Sequence, residues 1–238
     1  MWRLLGVRND SPASRRKLGV IALLYFIQGA PAAILWEVLP VYFRINGVSL
    51  RAIGGLRLLE LPYSLKVFWS PLVHRFGDRR HWILVCMLGI ASVLFLLPFV
   101  NVAAVGVIVL VLILMLTTLS ATQDVAIDSY SVGLVERAEE GAANGVRASA
   151  YRVALVFVGG GSVFLASVLA WNSLFVLAGI VFAALGFTAL AVPRLNLPAA
   201  AREHWLAGFA GWAGTWKVIP LILFVLTYKL GEFAIGPM

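Results

Sequence analysis

Residues 153–193 read VALVFVGGGSVFLASVLAWNSLFVLAGIVFAALGFTALAVP, a run of 41 residues without a charged side chain. As one α-helix this run would be about 60 Å long, because each residue adds about 1.5 Å. The apolar core of a bilayer is about 30 Å thick, and about 20 residues cross it. We therefore predict two antiparallel membrane helices here, joined by a turn at Trp171-Asn172-Ser173.

Uncharged runs also occur on the N-terminal side of this stretch, at 82–100 and 102–123. The whole chain is 61% hydrophobic and 13% charged, whereas soluble domains carry about 25% charged residues. Alternating segments of about ten residues, as in transmembrane β-strands, are absent from the sequence. The composition predicts an all-α polytopic membrane protein and excludes an ordinary soluble domain.

Seven segments are long and apolar enough to be spans. We place them at roughly 18–43, 50–73, 81–100, 102–128, 145–170, 172–192 and 216–236.

Lysine and arginine indicate the orientation of these spans, because short cytoplasmic loops carry an excess of both. They concentrate at the N-terminus and after the second, fourth and sixth spans. The members are Arg3, Arg8, Arg15, Arg16, Lys17, Arg75, Arg79, Arg80, Arg137, Arg194, Arg202 and Lys217. We predict a cytoplasmic N-terminus, and we attribute the net charge of +8 to topology and anionic lipid rather than to nucleic-acid binding.

Charged and strongly polar residues inside the spans are candidates for a substrate or proton pathway, because such groups are costly in lipid. They are Gln28, Glu37, Arg57, Glu60, Lys66, Asp124, Asp128, Arg147, Tyr151, Arg152, Lys229 and Glu232.

Their spacing predicts several contacts. Gln28 lies about 15 Å into the first span, with Glu37 nearer the outer face, and Pro31 should break or kink that helix. Arg57 and Glu60 are three residues apart and should share a face as a buried pair. Such a pair fits a structural role as well as a substrate site.

A second group of charges lies where the fourth and fifth spans approach the cytoplasm. Asp124 and Asp128 are four residues apart and point the same way, and they should face Arg147 and Arg152 of the next span. Tyr151 shares a face with Arg147. A structural or gating ion network and a proton or substrate relay both fit this arrangement.

The loop after the second span reads SPLVHRFGDRR, residues 70–80. It resembles the signature loop of the major facilitator superfamily, and Arg75, Gly77, Arg79 and Arg80 carry the resemblance. The acidic position of that pattern is His74 here, and the nearest acid is Asp78. The resemblance implies that residues 74–80 hold two helix ends together in one gating state.

Further segments resemble the branch of muropeptide permeases (AmpG-type) and acetyl-coenzyme A transporters. They are YFIQGAP at 25–31, LKVFWSP at 65–71, ATQDVAID at 121–128, NGVR at 144–147 and YKLGE at 228–232. The resemblance implies a proton-coupled carrier of a bulky anionic solute, in the inner (plasma) membrane, that works by rocking two six-helix bundles. It implies no cofactor and no metal.

This resemblance divides the chain into four parts. We expect a cytoplasmic tail at 1–17, an N-terminal six-helix bundle at 18–192, a central cytoplasmic loop at 193–215, and at 216–238 the first helix of an incomplete second bundle. A fragment, a truncated product and a half-carrier that needs a partner subunit are all compatible with this division.

Two alternative functions remain open. Asp124 and Asp128 at a helix end resemble the Mg²⁺-binding aspartate pairs of membrane prenyltransferases, although the sequence contains no second aspartate-rich cluster. The chain is also of suitable size for a non-transporting subunit that pairs with another carrier half.

Overall fold

The computed structural model describes residues 12–195 together with Pro220 and Thr227. The chain divides into two units, Met1–Leu197 and Pro198–Met238, and the account below concerns the first. Apart from Pro220 and Thr227, the predicted seventh span, including Lys229 and Glu232, lies outside the described residues, as does most of the predicted central loop.

The described part of the chain is built from nine α-helices and contains no strand. Their bounds are α1 Pro12–Ala33, α2 Leu39–Ile45, α3 Leu50–Leu56, α4 Leu61–Arg75, α5 Arg79–Leu96, α6 Val107–Leu134, α7 Glu140–Ala154, α8 Gly161–Ala166 and α9 Trp171–Thr188.

These helices account for the first six predicted spans and confirm an all-α polytopic fold. Among the described residues, five helical stretches are long and apolar enough to cross a membrane: Pro12–Ile45, Arg79–Phe99, Val107–Leu134, Arg137–Ala166 and Trp171–Ala191. The second predicted span, formed by α3 and α4, is not among the five. Its charged residues Arg57, Glu60 and Lys66 lie close together in the middle of the span, whereas each of the five contains a long stretch with at most two charges.

The turn between the last two spans lies earlier than the sequence predicted. It occupies residues 167–170, and Trp171 already begins α9. Ser167 favours this position, because its backbone N–H and its hydroxyl both donate to the carbonyl of Phe164. A serine that satisfies a carbonyl in this way competes with continuation of the helix.

The helix α6 lies at the centre of the bundle and packs against α1, α4 and α5. Around it, α1 packs against α7, and α5 packs against α9. At Gly29 the crossing of α1 and α7 is so close that an added Cβ would lie 2.8 Å from the Cβ of Ala154. Small residues of this kind let membrane helices approach each other closely.

Pro31 distorts the first span without breaking it. The α-helix continues through Pro31 to Ala33 and then widens into a π-helical segment, Ile34–Val38. A second π-helical segment, Leu155–Gly160, packs against the first. Glu37 belongs to the first segment and is exposed. The predicted kink is therefore a local widening of the helix.

One end of the bundle collects the start of α1 and the loops that follow α4 and α6. Lys17 near the start of α1 forms ion pairs with Glu136, at 2.7 Å, and with Glu139, at 3.2 Å, in the loop before α7. We call this end, which contains the start of α1 and residues 75–80, the loop end. The start of α1 and the loops after α4 and α6 thus lie at the same end, which agrees with the alternating topology predicted from the basic residues.

Candidate functional site

A row of polar contacts joins α4 to α6 along the depth of the bundle, and we call it the polar ladder. Its four contacts join Tyr63 Oη to Ser120 Oγ (2.7 Å), Lys66 Nζ to Asp124 Oδ2 (3.3 Å), Trp69 Nε1 to Thr122 Oγ1 (3.1 Å) and His74 Nδ1 to Ser129 Oγ (3.1 Å). The two helices run in parallel, so polar residues at matching depths meet.

Lys66 and Asp124 form the ion pair of the ladder, and both side chains are largely buried. The Asp124 side chain is 12% exposed and the Lys66 side chain 30% exposed. The Gln28 side chain of α1 lies beside Asp124, and its buried Oε1 has no hydrogen-bond partner in the described part of the chain. Lys66 also lines an open pocket with Ser70 and Asp128 toward the loop end. This pocket gives the pair an approach from one side of the bundle.

Asp128 has a different partner from Asp124. Tyr25 of α1 donates its hydroxyl to Asp128 Oδ1 at 2.8 Å. The guanidinium of Arg147 lies over the Tyr25 ring, 5.7 Å from its centroid, in the geometry of a cation–π contact. Arg147 also donates to Ser131 Oγ at 2.9 Å and to Asn144 Oδ1 at 2.8 Å. Tyr25 therefore joins the acid of α6 to the arginine of α7.

The predicted pairing of Asp124 and Asp128 with Arg147 and Arg152 is not formed. No ion pair within 4.0 Å joins these residues in the described ranges, and Arg152 is exposed. The reason is the packing order, since α1 packs against both α6 and α7. The predicted arginine network is thus replaced by Tyr25 and by a lysine from α4.

Tyr151 contacts α1 near Gly29.

Arg57 and Glu60 also differ from the prediction of a buried pair. Arg57 is exposed, Glu60 is half-buried, and they form no ion pair within 4.0 Å among the described residues. They occupy a 3₁₀ turn, Arg57–Glu60, and Leu61 donates to the carbonyl of Leu58 there. Pro62 has no N–H with which to continue the α-helical bonds at this point.

Gln123 is a site residue that the sequence reasoning missed. Its Nε2 donates to the backbone carbonyl of Ile27 at 3.1 Å, and the side chain is fully buried. Ile27 is four residues before Pro31, so its carbonyl receives no helical N–H. A buried carbonyl without a donor is costly, and α6 supplies that donor. The sequence could have indicated this, because a proline at position 31 leaves the carbonyl four residues earlier, that of Ile27, without its helical donor.

The loop after α4 is held mainly by Arg80. Gly77 has φ +74°, which a residue with a Cβ rarely adopts, and Asp78 caps α5 by accepting from the Arg80 N–H at 3.1 Å. The Arg80 guanidinium donates twice to Asp78 Oδ2, at 2.9 and 2.7 Å. These hydrogen bonds hold the pKa of Asp78 below its usual value.

Arg80 also contacts the segment after α9, which packs against α5, and it donates there to the carbonyls of Leu190 and Val192 at 3.0 and 2.9 Å. Arg79 lies at the edge of hydrogen-bonding distance, 3.4 Å, from Ser129 Oγ and from the His74 carbonyl. Arg75 is exposed and lies 5.7 Å from the Phe76 ring centroid. Residues 74–80 therefore connect α4 to α6 and to the end of α9, and their gating role stays a prediction.

Several curated proteins are similar to this chain. It is 28% identical over 235 residues to an uncharacterized protein of Haemophilus influenzae, covering 91% of this chain and 54% of that protein. It is 26% identical over 242 residues to the putative transporter AmpG 4 of Rickettsia felis (92% and 58%). It is 25% identical over 227 residues to the anhydromuropeptide permease of Escherichia coli K12 (90% and 45%).

The chain spans about half the length of the curated relatives it matches. A family model described as Major Facilitator Superfamily matches residues 19–234, which include all nine helices except the start of α1. From this match and the polytopic helical fold, we conclude that the chain is a multi-pass membrane protein of the major facilitator superfamily, a family of transporters.

Proposed function

We propose that the chain forms part of a proton-coupled secondary carrier for a bulky anionic solute, such as a muropeptide-like compound, in the inner membrane. The observation that supports this most is the Lys66–Asp124 ion pair between α4 and α6, 3.3 Å long, with Gln28 of α1 beside it. Buried ionisable groups inside membrane helices are expensive and typically serve a pathway. The names of two relatives, a putative transporter and an anhydromuropeptide permease, agree with such a solute.

The pair supports a coupling mechanism based on competition for one cation. Lys66 balances the charge of Asp124 in the empty carrier. An anionic solute that binds Lys66 removes this partner and leaves a buried carboxylate uncompensated. An isolated buried charge is strongly disfavoured, so Asp124 takes up a proton as the solute binds. The solute and the proton then move together, and release of both restores the ion pair.

The enzyme alternative receives no support from the aspartate pair. Asp124 Oδ2 pairs with Lys66 of α4 and Asp128 Oδ1 accepts from Tyr25 of α1, so the two carboxylates serve different partners in this structure. Among the described residues, no three His, Cys, Asp or Glu side chains lie together so that they could hold a metal ion. Membership of a transporter family favours transport over prenyl transfer.

The test is uptake into proteoliposomes that contain the product of the longest reading frame encoding this chain. We expect a muropeptide-like anion to accumulate when the outside is acidic, and accumulation to stop when a protonophore dissipates the gradient. Lys66→Gln should abolish accumulation. Asp124→Asn should keep solute exchange and lose the dependence on the proton gradient, because asparagine cannot exchange a proton.

Arg44→Gln is the matched control, because Arg44 is an exposed cation at the end of α2 and should leave uptake unchanged. Accumulation that survives both Lys66→Gln and the protonophore would refute the mechanism. Absence of transport for every anionic solute tested would refute the function.

A further inference from the structure

A cleft with mostly apolar walls lies toward the other end of the same helices from the loop end. Residues of the first span, of α3 and of α6 line it, and Leu39, Phe43 and Ile113 provide apolar walls. Arg57 and Glu60 line it as well. The cleft therefore combines apolar surface with one cationic and one anionic side chain.

Both charges are available to a ligand. Arg57 is exposed and has no ion-pair partner within 4.0 Å among the described residues. Glu60 is half-buried, with the Trp36 side chain beside it. The two side chains line the same cleft without forming an ion pair within 4.0 Å, so an anionic group can bind Arg57 while an N–H group binds Glu60.

The cleft is connected to the polar ladder by aromatic contact. The ring of Trp36, which lines the cleft, lies 6.1 Å from the ring of Tyr63. Tyr63 forms the first contact of the ladder with Ser120, and Lys66 follows one helical turn later on α4. A solute in the cleft is thus adjacent to the residues that we propose couple transport to protons.

We propose that this cleft is a substrate subsite for the carboxyl end of a short N-acylated peptide. The carboxylate binds Arg57, the amide N–H donates to Glu60, and an apolar side chain packs against Leu39 and Phe43. This inference rests on the proposed function, since it names the chemistry of the solute that the carrier would take. The support for this subsite is that Arg57 and Glu60 complement the carboxylate and the N–H of such a ligand, beside an apolar wall.

The experiment measures weak equilibrium binding by saturation-transfer difference NMR, with the purified chain in phosphatidylcholine nanodiscs. The probes are N-acetyl-L-leucine, its neutral amide, and its N-methylated acid, which lacks the amide N–H. We expect the acid to bind about tenfold more tightly than the other two, as loss of a hydrogen bond to a charged group predicts.

Variants assign these preferences to residues. Arg57→Gln should remove the preference for the acid over its neutral amide. Glu60→Ala should remove the preference for the acid with an amide N–H over the N-methylated acid. Ile53→Trp should fill the cleft, which Ile53 lines, and weaken all three probes. Arg51→Gln is the matched control, because Arg51 is an exposed arginine of α3, the helix just before Arg57, and lies outside the cleft lining.

Each result supports or overturns the subsite. Equal binding of the three probes, or preferences that survive both Arg57→Gln and Glu60→Ala, would overturn it. Binding seen only after lipid is stripped, with Arg57-dependent retention of phospholipid in native mass spectra, would identify a lipid site and also overturn it. Probe binding can be measured without transport, so the two experiments can fail separately. If proton-driven uptake occurs but the probes bind equally, only the subsite is rejected. If the probes bind with the expected preference but no uptake occurs, only the proposed carrier function is rejected.

Discussion

Replacing Gln123 by leucine tests whether the amide of α6 compensates for Pro31 in α1. In the wild-type chain Gln123 Nε2 donates to the carbonyl of Ile27 at 3.1 Å. Leucine fills a similar volume and leaves that carbonyl without a donor. In a Pro31→Ala background the alanine N–H reaches the same carbonyl through the ordinary helical bond. The effect of the leucine should then depend on the residue at position 31.

The expected magnitude follows from the burial of the bond. An unpaired buried acceptor costs about 1–3 kcal/mol, while hydrogen bonds between membrane helices contribute about 0.6 kcal/mol on average and about 1.7 at most. The Oε1 of Gln123 is itself unpartnered in the described part of the chain, and leucine removes that penalty. We expect Gln123→Leu to destabilise the wild-type bundle by about 1 kcal/mol and the Pro31→Ala bundle by about zero.

The assay is reversible unfolding of the four proteins of this double-mutant cycle in mixed dodecyl maltoside and SDS micelles, followed by far-ultraviolet circular dichroism. The expected coupling free energy is about 1 kcal/mol, above the roughly 0.3–0.5 kcal/mol by which independent sites deviate from additivity. Pro71→Ala is the control background, because the Val67 carbonyl four residues before Pro71 already accepts the Ser70 hydroxyl at 3.2 Å. Additive effects of Pro31→Ala and Gln123→Leu would refute the reasoning.

Three further predictions concern the loop and the helix contacts. The pKa of Asp78 is lowered in the folded chain, so the ionised carboxylate stabilises the fold fully above its unfolded pKa. That stabilisation is lost as the pH falls through the folded pKa. Asp78→Asn should abolish this acid-dependent loss, measured as the change in the unfolding midpoint between pH 6 and 3. Gly29→Val should destabilise the bundle by about 1–3 kcal/mol through overpacking against Ala154, whereas Gly19→Val, at a position with open space, should cost less than about 1 kcal/mol in the same assay. Tyr25→Phe should lower the stability by about 0.5–1.5 kcal/mol through loss of its hydroxyl hydrogen bond, and an unchanged midpoint would contradict that assignment.

The number and order of the spans could be predicted from the sequence because a fixed apolar thickness determines the length of each helix. The partners of the charged residues could not. Lys66 and Asp124 are distant in sequence, and their contact depends on which helices pack together. Periodicity places Asp124 and Asp128 on one face, yet cannot show that Tyr25 lies between α6 and Arg147.

Local backbone geometry was the second limit. Pro62 is preceded by a 3₁₀ turn at Arg57 and Glu60, which the spacing did not predict. Residues three apart still share a face in such a turn, and the pair is unformed because Arg57 is exposed. Pro31 had a similar effect, since the sequence indicated a distortion but not its π-helical form. In both cases the proline was visible, and the response of the backbone depended on the neighbouring helices.

Arg80 has a mechanical consequence for the bundle. One guanidinium holds the beginning of α5 and the carbonyls that follow α9, and Tyr130 adds a bond from α6 to the carbonyl of Pro193 at 2.7 Å. The segment that follows α9 is therefore fastened to α5 and to α6 at the loop end. It cannot move away from either helix without breaking hydrogen bonds of Arg80 or Tyr130.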